Sequence, residues 1–224
     1  MSYFVTAIVD DYGDTTYQPT MAGFTALVII MIAFLLLGCA LFGKKKAFDA
    51  KQLTFSAMAI ALGVVTSMLK LFEMPMGGSI TLLSMLFIVL IGYWYGLGAG
   101  ITTAIAYGFL QLIIDPYIIS VPQMLVDYIF AFGALGLSGL FCNSKHGLIK
   151  GYIAGVLGRY FFSFLSGWIF FGTYIPEDFP VQNSVVYSLA YNGSYLGVEA
   201  LITLIIIALP PVSKALAHVK SFAE

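Results

Sequence analysis

The fold class is decided by an uncharged run at residues 97–114, which reads LGAGITTAIAYGFLQLII. A helix of this length and hydropathy can cross the hydrocarbon core of a bilayer. The whole chain is similar: 60% of its 224 residues are hydrophobic, 9% are charged, and the mean hydropathy is +0.97. A soluble domain carries about 25% charged residues, and only helices or closed barrels satisfy their backbone groups in lipid. Continuous apolar runs without alternation therefore predict an all-α integral membrane protein.

Seven membrane spans are predicted along the chain, and the short connections between them leave no room for a soluble domain. The segment before the first apolar run contains no basic residue, so we expect a retained helix rather than a cleaved signal peptide. The third span is short and runs into a turn at residues 92–96. The spans lie near residues 22–43, 53–71, 80–94, 97–114, 121–142, 149–172 and 190–213.

The basic residues predict the orientation, because lysine and arginine collect on the cytoplasmic side of membrane proteins. In a seven-span arrangement one side collects most of the lysines, and the other side collects acids together with Lys70. We therefore expect a cell-membrane protein with its N-terminus outside and its C-terminus in the cytoplasm. The cytoplasmic lysines are Lys44, Lys45, Lys46, Lys51, Lys145, Lys150, Lys214 and Lys220, and the outer acids are Asp10, Asp11, Asp14, Glu73, Asp115, Glu177 and Asp178.

Missing motifs narrow the function. The chain has no G-x-x-x-x-G-K-[ST] loop, so we expect that it does not use ATP by itself. It has neither H-E-x-x-H nor G-x-S-x-G, and both histidines, His146 and His218, fall in predicted cytoplasmic segments. Cys39 and Cys142 lack histidine partners for a metal site. We expect no catalytic residue, no metal and no cofactor, and the glycine-rich run at residues 96–100 is typical of close helix packing.

Three ionisable side chains lie inside predicted spans, where a charge is costly unless it has a partner or a function. For Arg159 and Glu199 we favour a structural ion pair, because buried charges are usually paired. Asp127 differs, because no basic side chain is evidently available to neutralise it. A cationic or amine-bearing ligand would supply the missing partner, which makes Asp127 the first candidate for ligand binding.

Aromatic side chains are dense on the predicted outer side. Tyrosines at a membrane interface commonly form a belt, yet aromatic faces around an acid also bind flat organic cations. We expect the polar segment YSLAYNGSY, residues 187–195, at the mouth of the last span, where Asn192 offers the donor and acceptor that an aminopyrimidine-type edge requires. The aromatic residues are Tyr107, Tyr117, Tyr128, Phe170, Phe171, Tyr174, Tyr187, Tyr191 and Tyr195.

Five groups of short motifs follow one another along the chain. In their order and spacing they resemble the thiamine-specific substrate-binding subunit of energy-coupling factor transporters. The resemblance covers about residues 53–215. The motifs are KLFEMPMGGS at 70–79, GYWYG at 92–96, Asp127-Tyr128, RYFF at 159–162 with Ser166-Gly167, and Tyr187-Ser188 with Asn192-Gly193.

The resemblance implies a fold and a domain organisation. The fold would be a six-helix membrane bundle of the substrate-binding-subunit type, with one additional N-terminal transmembrane helix. Residues 53–224 would form the substrate-binding membrane domain. Residues 1–52 would add an extracellular segment, the extra helix and a cytoplasmic basic loop.

The resemblance also implies a function without enzymatic activity, namely high-affinity capture and uptake of thiamine from outside the cell. The subunit would dock with a transmembrane coupling subunit and two ATPase subunits, which would supply the energy. Its other partner would be the lipid bilayer, with no role for nucleic acid. An A-x-x-x-A pattern that contacts the coupling subunit matches Ala57 and Ala61, although intramolecular helix packing fits that spacing equally well.

The family's ligand-binding positions can be carried over one by one, and the loop that forms its lid corresponds to Pro75, Gly77 and Gly78. Three positions depart from the pattern: Asp127 is one methylene shorter than the glutamate of some relatives, Ser163 stands where a stacking histidine can occur, and Tyr107 and Phe171 stand where some members use tryptophan. A thiamine precursor or analogue therefore stays open as the ligand. The ligand-binding candidates are Asp127, Tyr128, Tyr187, Asn192, Tyr107, Tyr117, Ser163, Gly167 and Phe171.

Two other functions remain compatible with the residues. The first is a stand-alone vitamin transporter driven by protons, with Asp127 or Glu199 as the proton carrier. The second is a membrane scaffold without transport activity, in which the polar segment near the last span lines a water-facing vestibule. An intramembrane enzyme ranks last, because the chain lacks a nucleophile–base pair or a metal cluster.

Overall fold

The computed structural model describes residues 3–9, 15–42, 50–175 and 182–223. The charged residues at 10–14, 44–46 and 177–178, on which part of the predicted orientation rests, lie outside the described residues. The rest form a helical bundle with two small antiparallel hairpins. In chain order the elements are β1 (Val5–Val9), β2 (Thr15–Pro19), α1 (Met21–Phe42), α2 (Ala50–Ser67), β3 (Lys70–Glu73), β4 (Ser79–Thr81), α3 (Ser84–Tyr95), α4 (Leu97–Ile114), α5 (Val121–Phe141), α6 (Gly147–Phe170), α7 (Ser184–Ala208) and α8 (Pro210–Ala223).

The predicted all-α membrane fold is confirmed in class. Five helices, α2, α4, α5, α6 and α7, are long and apolar enough to cross a membrane. The helix α1 has 22 residues, whereas α3 has 12 and is therefore only about 18 Å long. The number of spans stays a prediction.

The short helix α3 forms the centre of the bundle. Met85, Ile88 and Ile91 have no exposed surface, because α3 packs against α2, α4, α5 and α6 together. The β3–β4 hairpin takes up the chain between α2 and α3. This arrangement places the β3–β4 hairpin at the N-terminal end of a largely apolar core helix.

The predicted end of the second span and the predicted start of the third span both fall in this hairpin, and both boundaries are wrong. The ends assigned to the second and third spans, residues 70–71 and 80–81, belong to or adjoin strands rather than helices. Lys70 pairs with Thr81 and Glu73 pairs with Ser79, with an irregularity in the register between them. Helix periodicity did not reveal the strands because each is only three or four residues long.

The last predicted span, 190–213, is displaced from the helix that the chain forms. The Asn183 side chain caps the start of α7 by accepting hydrogen bonds from the N–H groups of Val185 at 3.0 Å and Val186 at 3.2 Å. The helix ends at Ala208, shortly before Pro210, which cannot continue an α-helical hydrogen-bond ladder. The polar segment 187–195 therefore lies within α7 and not before it.

Helix α5 is not a regular α-helix. It begins with an α-helical turn, continues as a π-helical turn over Leu125–Phe130 and ends as a 3-10 helix over Ala134–Phe141. The π-helical turn contains Asp127 and Tyr128. Single π turns recur at functional sites because they reorient the side chains that follow them.

Glycines allow the inner helices to approach each other closely, as expected for residues 96–100. A Cβ on Gly100 would lie 2.7 Å from the Cα of Gly92 and 2.8 Å from the carbonyl oxygen of Gly136. Such distances are too short for a side chain. Close packing of α4 against α3 and α5 thus explains the glycine-rich run.

The N-terminal elements pack beside this bundle. Helix α1 contacts α4, and the Tyr17 N–H of β2 donates to the carbonyl oxygen of Ile118 at 2.6 Å. At the opposite end of the bundle, the Tyr95 hydroxyl donates to the carbonyl oxygen of Ala223 at 2.9 Å and holds the end of α8 against α3. The β1–β2 hairpin therefore borders the same end as the turn between α4 and α5, away from α8.

Candidate functional site

A cavity of about 160 Å³ opens below the β3–β4 hairpin, between α4, α5, α6 and α7. The structure brings all nine predicted ligand-binding residues to its walls, together with Gly77 and Gly78 of the predicted lid. Their role in binding stays a prediction. The nine residues are Asp127, Tyr128, Tyr187, Asn192, Tyr107, Tyr117, Ser163, Gly167 and Phe171.

The acid Asp127 is held at one wall of the cavity by a glutamine one helical turn earlier. The Gln123 Nε2 group donates to Asp127 Oδ2 at 2.7 Å and to the carbonyl oxygen of Tyr117 at 3.1 Å. The neighbouring Tyr128 hydroxyl accepts from the Tyr117 N–H at 2.8 Å and donates to the carbonyl oxygen of Asp115 at 2.8 Å. The loop between α4 and α5 is thereby tied to the helix that carries the acid.

The wall formed by α6 and α7 depends on a glycine. A Cβ on Gly167 would lie 2.3 Å from Ser188 Oγ and 3.1 Å from Asn192 Nδ2, so only glycine lets the two helices meet here. The Ser188 hydroxyl donates to the carbonyl oxygen of Phe164 at 2.8 Å and fixes the contact. This explains in physical terms why the position matched by resemblance is a glycine.

Asn192 is buried between these helices, and most of its hydrogen-bonding capacity is already used. Its Nδ2 group donates to the carbonyl oxygens of Ser163 at 3.2 Å and Ser188 at 3.0 Å. Its Oδ1 accepts from the Tyr195 hydroxyl at 3.0 Å. An amide has two N–H donors and an oxygen with two lone pairs. The oxygen is thus what Asn192 can offer a ligand in this arrangement, and the donor predicted from the sequence is engaged.

Two pairs of parallel aromatic rings line the cavity. Tyr117 and Phe171 stack with ring centroids 5.9 Å apart and an interplanar angle of 18°. Tyr187 and Tyr191 stack at 5.8 Å and 24°. These rings present flat faces of the kind that hold planar cations. Tyr107 lies deeper and is fully buried.

The segment between β3 and β4 covers the cavity. The Tyr191 hydroxyl accepts from the Gly78 N–H at 2.9 Å and donates to the carbonyl oxygen of Pro75. Met76 and Gly77 both adopt positive φ angles, 63° and 85°, a conformation that favours glycine. A helix residue on α7 thus holds the tip of the hairpin over the predicted binding residues.

The base of the hairpin is held by Glu199, which is 2% exposed. Its carboxylate accepts from the Thr81 N–H at 3.1 Å, from Thr81 Oγ1 at 2.8 Å and from Ser84 Oγ at 3.1 Å. The expected ion pair between Glu199 and Arg159 is wrong. In the part of the chain that the structure describes, hydroxyl and backbone donors take the place of a cation at Glu199.

Arg159 faces the same cavity as Asp127. Its guanidinium carbon lies 4.2 Å from the centroid of the Phe132 ring, and its buried Nε has no hydrogen-bond partner among the described residues. The expectation that no basic side chain is available near Asp127 therefore needs correction. The sequence favoured an ion pair of Arg159 with Glu199, because the spacing of residues along a helix does not show which neighbour a long side chain reaches.

A small ionic cluster lies at the rim of the cavity. Lys70 Nζ contacts Glu73 Oε1 at 2.7 Å and Asp115 Oδ2 at 2.8 Å. The hydrogen bonds that the Lys70 ammonium donates to Asp115 and then to Glu73 raise its pKa above the ordinary value of 10.5. The cluster links the base of the hairpin to the end of α4.

Sequence reasoning missed several residues of the site. Gln123 gave no signal, because a polar residue near a predicted span end is ordinary. Thr81 and Ser84 were assigned to the interior of a span, and Tyr191 was grouped with interfacial tyrosines. Among the described residues no cluster of three or more His, Cys, Asp or Glu side chains is arranged to hold a metal ion.

Comparisons with known proteins identify the family of this chain. Residues 53–218 match the sequence model of a family described as thiamine transporter protein. The thiamine transporter ThiT of Bacillus subtilis (strain 168) is 34% identical over 168 residues, which cover 69% of this chain and 84% of the relative. A solved structure of ThiT from Listeria monocytogenes superposes with a TM-score of 0.57 at 25% identity, covering 71% of this chain and 94% of that chain.

Proposed function

The chain belongs to the thiamine transporter family, and we propose that it captures thiamine outside the cell as the substrate-binding subunit of an energy-coupling factor transporter. It is a multi-pass membrane protein and not an enzyme. The observation that carries the proposal is the cavity below the hairpin, where Asp127 and two stacked aromatic pairs lie on the walls of one space.

The chemistry of these walls suits thiamine, which joins a flat aminopyrimidine to a thiazolium cation. The partly buried Asp127 carboxylate would stabilise a cation or an amino group of the ligand. The rings of Tyr117, Phe171 and Tyr187 would attract a planar cation through their faces. The Oδ1 atom of Asn192 keeps a lone pair for an amino hydrogen. We assign the pyrimidine and thiazolium recognition jointly to these side chains.

The surface of α2 supports docking with a transmembrane coupling subunit. Ala57 and Ala61 are exposed on α2, whose buried residues are Ala59, Gly63 and Ser67. Intramolecular packing therefore does not account for the small residues at 57 and 61, and two exposed alanines one turn apart let a second helix approach closely. Uptake by whole cells should disappear when the coupling ATPases are removed, whereas uptake that survives would favour a proton-driven transporter.

The orientation belongs to the same proposal. The cavity lies at the end of the bundle that carries Lys70, Glu73 and Asp115, and α8 with Lys214 and Lys220 lies at the other end. We place the cavity outside and α8 in the cytoplasm, following the distribution of lysines. Labelling of single engineered cysteines from either side of the membrane, in a background without Cys39 and Cys142, tests the assignment.

The decisive experiment is calorimetric titration of the purified, ligand-stripped protein with thiamine, alongside Asp127→Asn and Asn192→Ala. We expect tight binding by the parent and a loss of about 100-fold in Asp127→Asn, equivalent to about 2.8 kcal/mol. Glu73→Gln makes the same chemical change at an exposed carboxylate on the rim and should bind like the parent.

No binding by the parent would contradict thiamine as the ligand. Ser163 would then be the first residue to consider, because a serine offers no ring for stacking where relatives of the family carry histidine. Thiamine precursors with the same aminopyrimidine would be titrated next. Binding of a precursor in place of thiamine would preserve the transporter function and change its substrate.

A further inference from the structure

Gln123 is a buried polar side chain at the cavity whose amide makes three hydrogen bonds. It is 1% exposed, and it lies one helical turn before Asp127. Its Oε1 accepts from the Ile119 N–H at 3.0 Å, and its Nε2 donates to the Tyr117 carbonyl oxygen at 3.1 Å and to Asp127 Oδ2 at 2.7 Å. One side chain thus contacts the loop before α5 twice and the acid once.

The partners decide which way the amide points. The Ile119 N–H can only donate, so the amide oxygen must face it, and the two N–H groups must then face the Tyr117 carbonyl and Asp127. Both N–H groups are used, and the bond to Asp127 requires that this carboxylate accept. A glutamate at position 123 could not donate to two acceptors, and a hydrophobic residue could donate to none.

The loop that Gln123 holds carries an aromatic wall of the cavity. Tyr117 stacks on Phe171, and its backbone is fixed on both sides, since the N–H of Tyr117 donates to Tyr128 and the carbonyl oxygen accepts from Gln123. The position of the ring and the position of the Asp127 carboxylate are therefore set by the same amide.

We propose that Gln123 is a positioning residue for ligand capture, which holds the Asp127 carboxylate and the Tyr117 ring as one preorganised unit. The inference rests on the proposed function. Preorganised groups bind a ligand more tightly because less ordering is needed when the ligand arrives. Gln123 itself acts through Asp127 and Tyr117 rather than by contact with the ligand.

The first test is thiamine titration of Gln123→Leu, which keeps the volume of the side chain and removes all three hydrogen bonds. We expect a 10- to 100-fold loss of affinity. Hydrogen exchange of the apo protein adds a readout that needs no ligand: the amides of Tyr117 and Ile119 should be protected in the parent and should exchange faster in Gln123→Leu.

The second test is the pH profile of Gln123→Glu. A protonated glutamate can still donate to Asp127, whereas two ionised carboxylates at this distance repel each other. We expect the affinity of Gln123→Glu to fall at least tenfold relative to the parent between pH 5.5 and pH 8. The other titratable groups that face the cavity are unchanged in this comparison; they are Lys70 on β3, Tyr107 on α4, Asp115 and Tyr117 on the loop, Asp127 and Tyr128 on α5, Arg159 on α6, and Tyr187, Tyr191, Tyr195 and Glu199 on α7.

Ser120→Ala is the matched control, because Ser120 Oγ accepts from the Gln123 N–H at 3.3 Å and caps the same helix without touching the side-chain amide. We expect its affinity to stay within threefold of the parent and its pH profile to be unchanged. Equal affinity, exchange and pH profile in the parent and both Gln123 variants would overturn the inference. Failure of the parent to bind thiamine would instead overturn the proposed function, and the exchange data would still decide whether Gln123 fixes the loop.

Discussion

Two carboxylates, the buried Glu199 and the partly buried Asp127, lie on the walls of one cavity and differ in how many hydrogen bonds they accept from the protein. Glu199 accepts three hydrogen bonds from Thr81 and Ser84, whereas Asp127 accepts from Gln123. A carboxylate whose lone pairs are mostly taken by protein donors stabilises the fold, and a carboxylate with more free lone pairs can receive a ligand. Donor count, which the sequence does not show, therefore distinguishes Glu199 from Asp127, for which we propose a role in ligand binding.

The largest effect is expected when the charge of Asp127 is removed. Asp127→Asn should weaken thiamine binding about 100-fold, or about 2.8 kcal/mol, because the cationic ligand loses its counter-charge. The melting temperature of the apo protein should stay close to that of the parent, since the fold does not depend on this charge. Calorimetry and thermal unfolding on the same samples measure both. A large drop in melting temperature would give Asp127 the role assigned to Glu199.

The converse change removes the structural acid. Glu199→Ala should lower the free energy of unfolding by about 2–3 kcal/mol, because buried donors on Thr81 and Ser84 lose their acceptor. Glu199→Gln is the conservative control, whose Oε1 still accepts part of the network, and it should be less destabilised. Unfolding of the apo protein with heat or denaturant measures whether stability decreases from the parent to Glu199→Gln to Glu199→Ala. Stability equal to the parent in Glu199→Ala would contradict the structural role.

The tip of the hairpin sharpens the comparison, because among the described residues tyrosine hydroxyls rather than a carboxylate contact it. Tyr191→Phe removes the hydrogen bonds to Gly78 and Pro75 and should raise the dissociation rate of thiamine about tenfold, or about 1.4 kcal/mol. The stacked ring is retained, so the association rate should change little. Stopped-flow kinetics separate the two rates. An unchanged dissociation rate would mean that the Tyr191 hydroxyl does not retain the ligand.

The smallest effect is expected at the exposed rim. Lys70→Met should change stability by less than about 1 kcal/mol, because exposed ion pairs contribute little, and high salt should reduce the difference further. The pKa of Lys70 is raised, so its contribution is present below the ordinary value of 10.5 and is lost only above the raised value. Thermal unfolding of Lys70→Met and the parent should therefore differ by the same amount at pH 6 and pH 9. A stability difference that changed between pH 6 and pH 9 would indicate that another titratable group is involved.

Much of the site could be predicted from the sequence, because ligand chemistry leaves polar and aromatic residues where lipid would exclude them. Asp127 and Tyr187 were recognisable on that ground and by resemblance, whereas Gly167 was recognisable by resemblance alone, and the structure places all three on one cavity. Gln123 was not recognisable, since its significance lies in two backbone partners on a loop. Arg159 was assigned the wrong partner, because spacing along α6 does not show that its guanidinium turns toward Phe132.

The sequence by itself determined the membrane-helical class, the family and part of the cavity wall, because apolar length and short motifs are local properties. Tertiary structure alone decided three features. They are the π-helical turn that carries Asp127, the hairpin above α3, and the groups that donate hydrogen bonds to the carboxylates of Asp127 and Glu199. These depend on contacts between residues far apart in the chain, such as Thr81 with Glu199 or Gly78 with Tyr191. Hydrogen bonds of this kind form only after the helices have packed, so no local pattern encodes them.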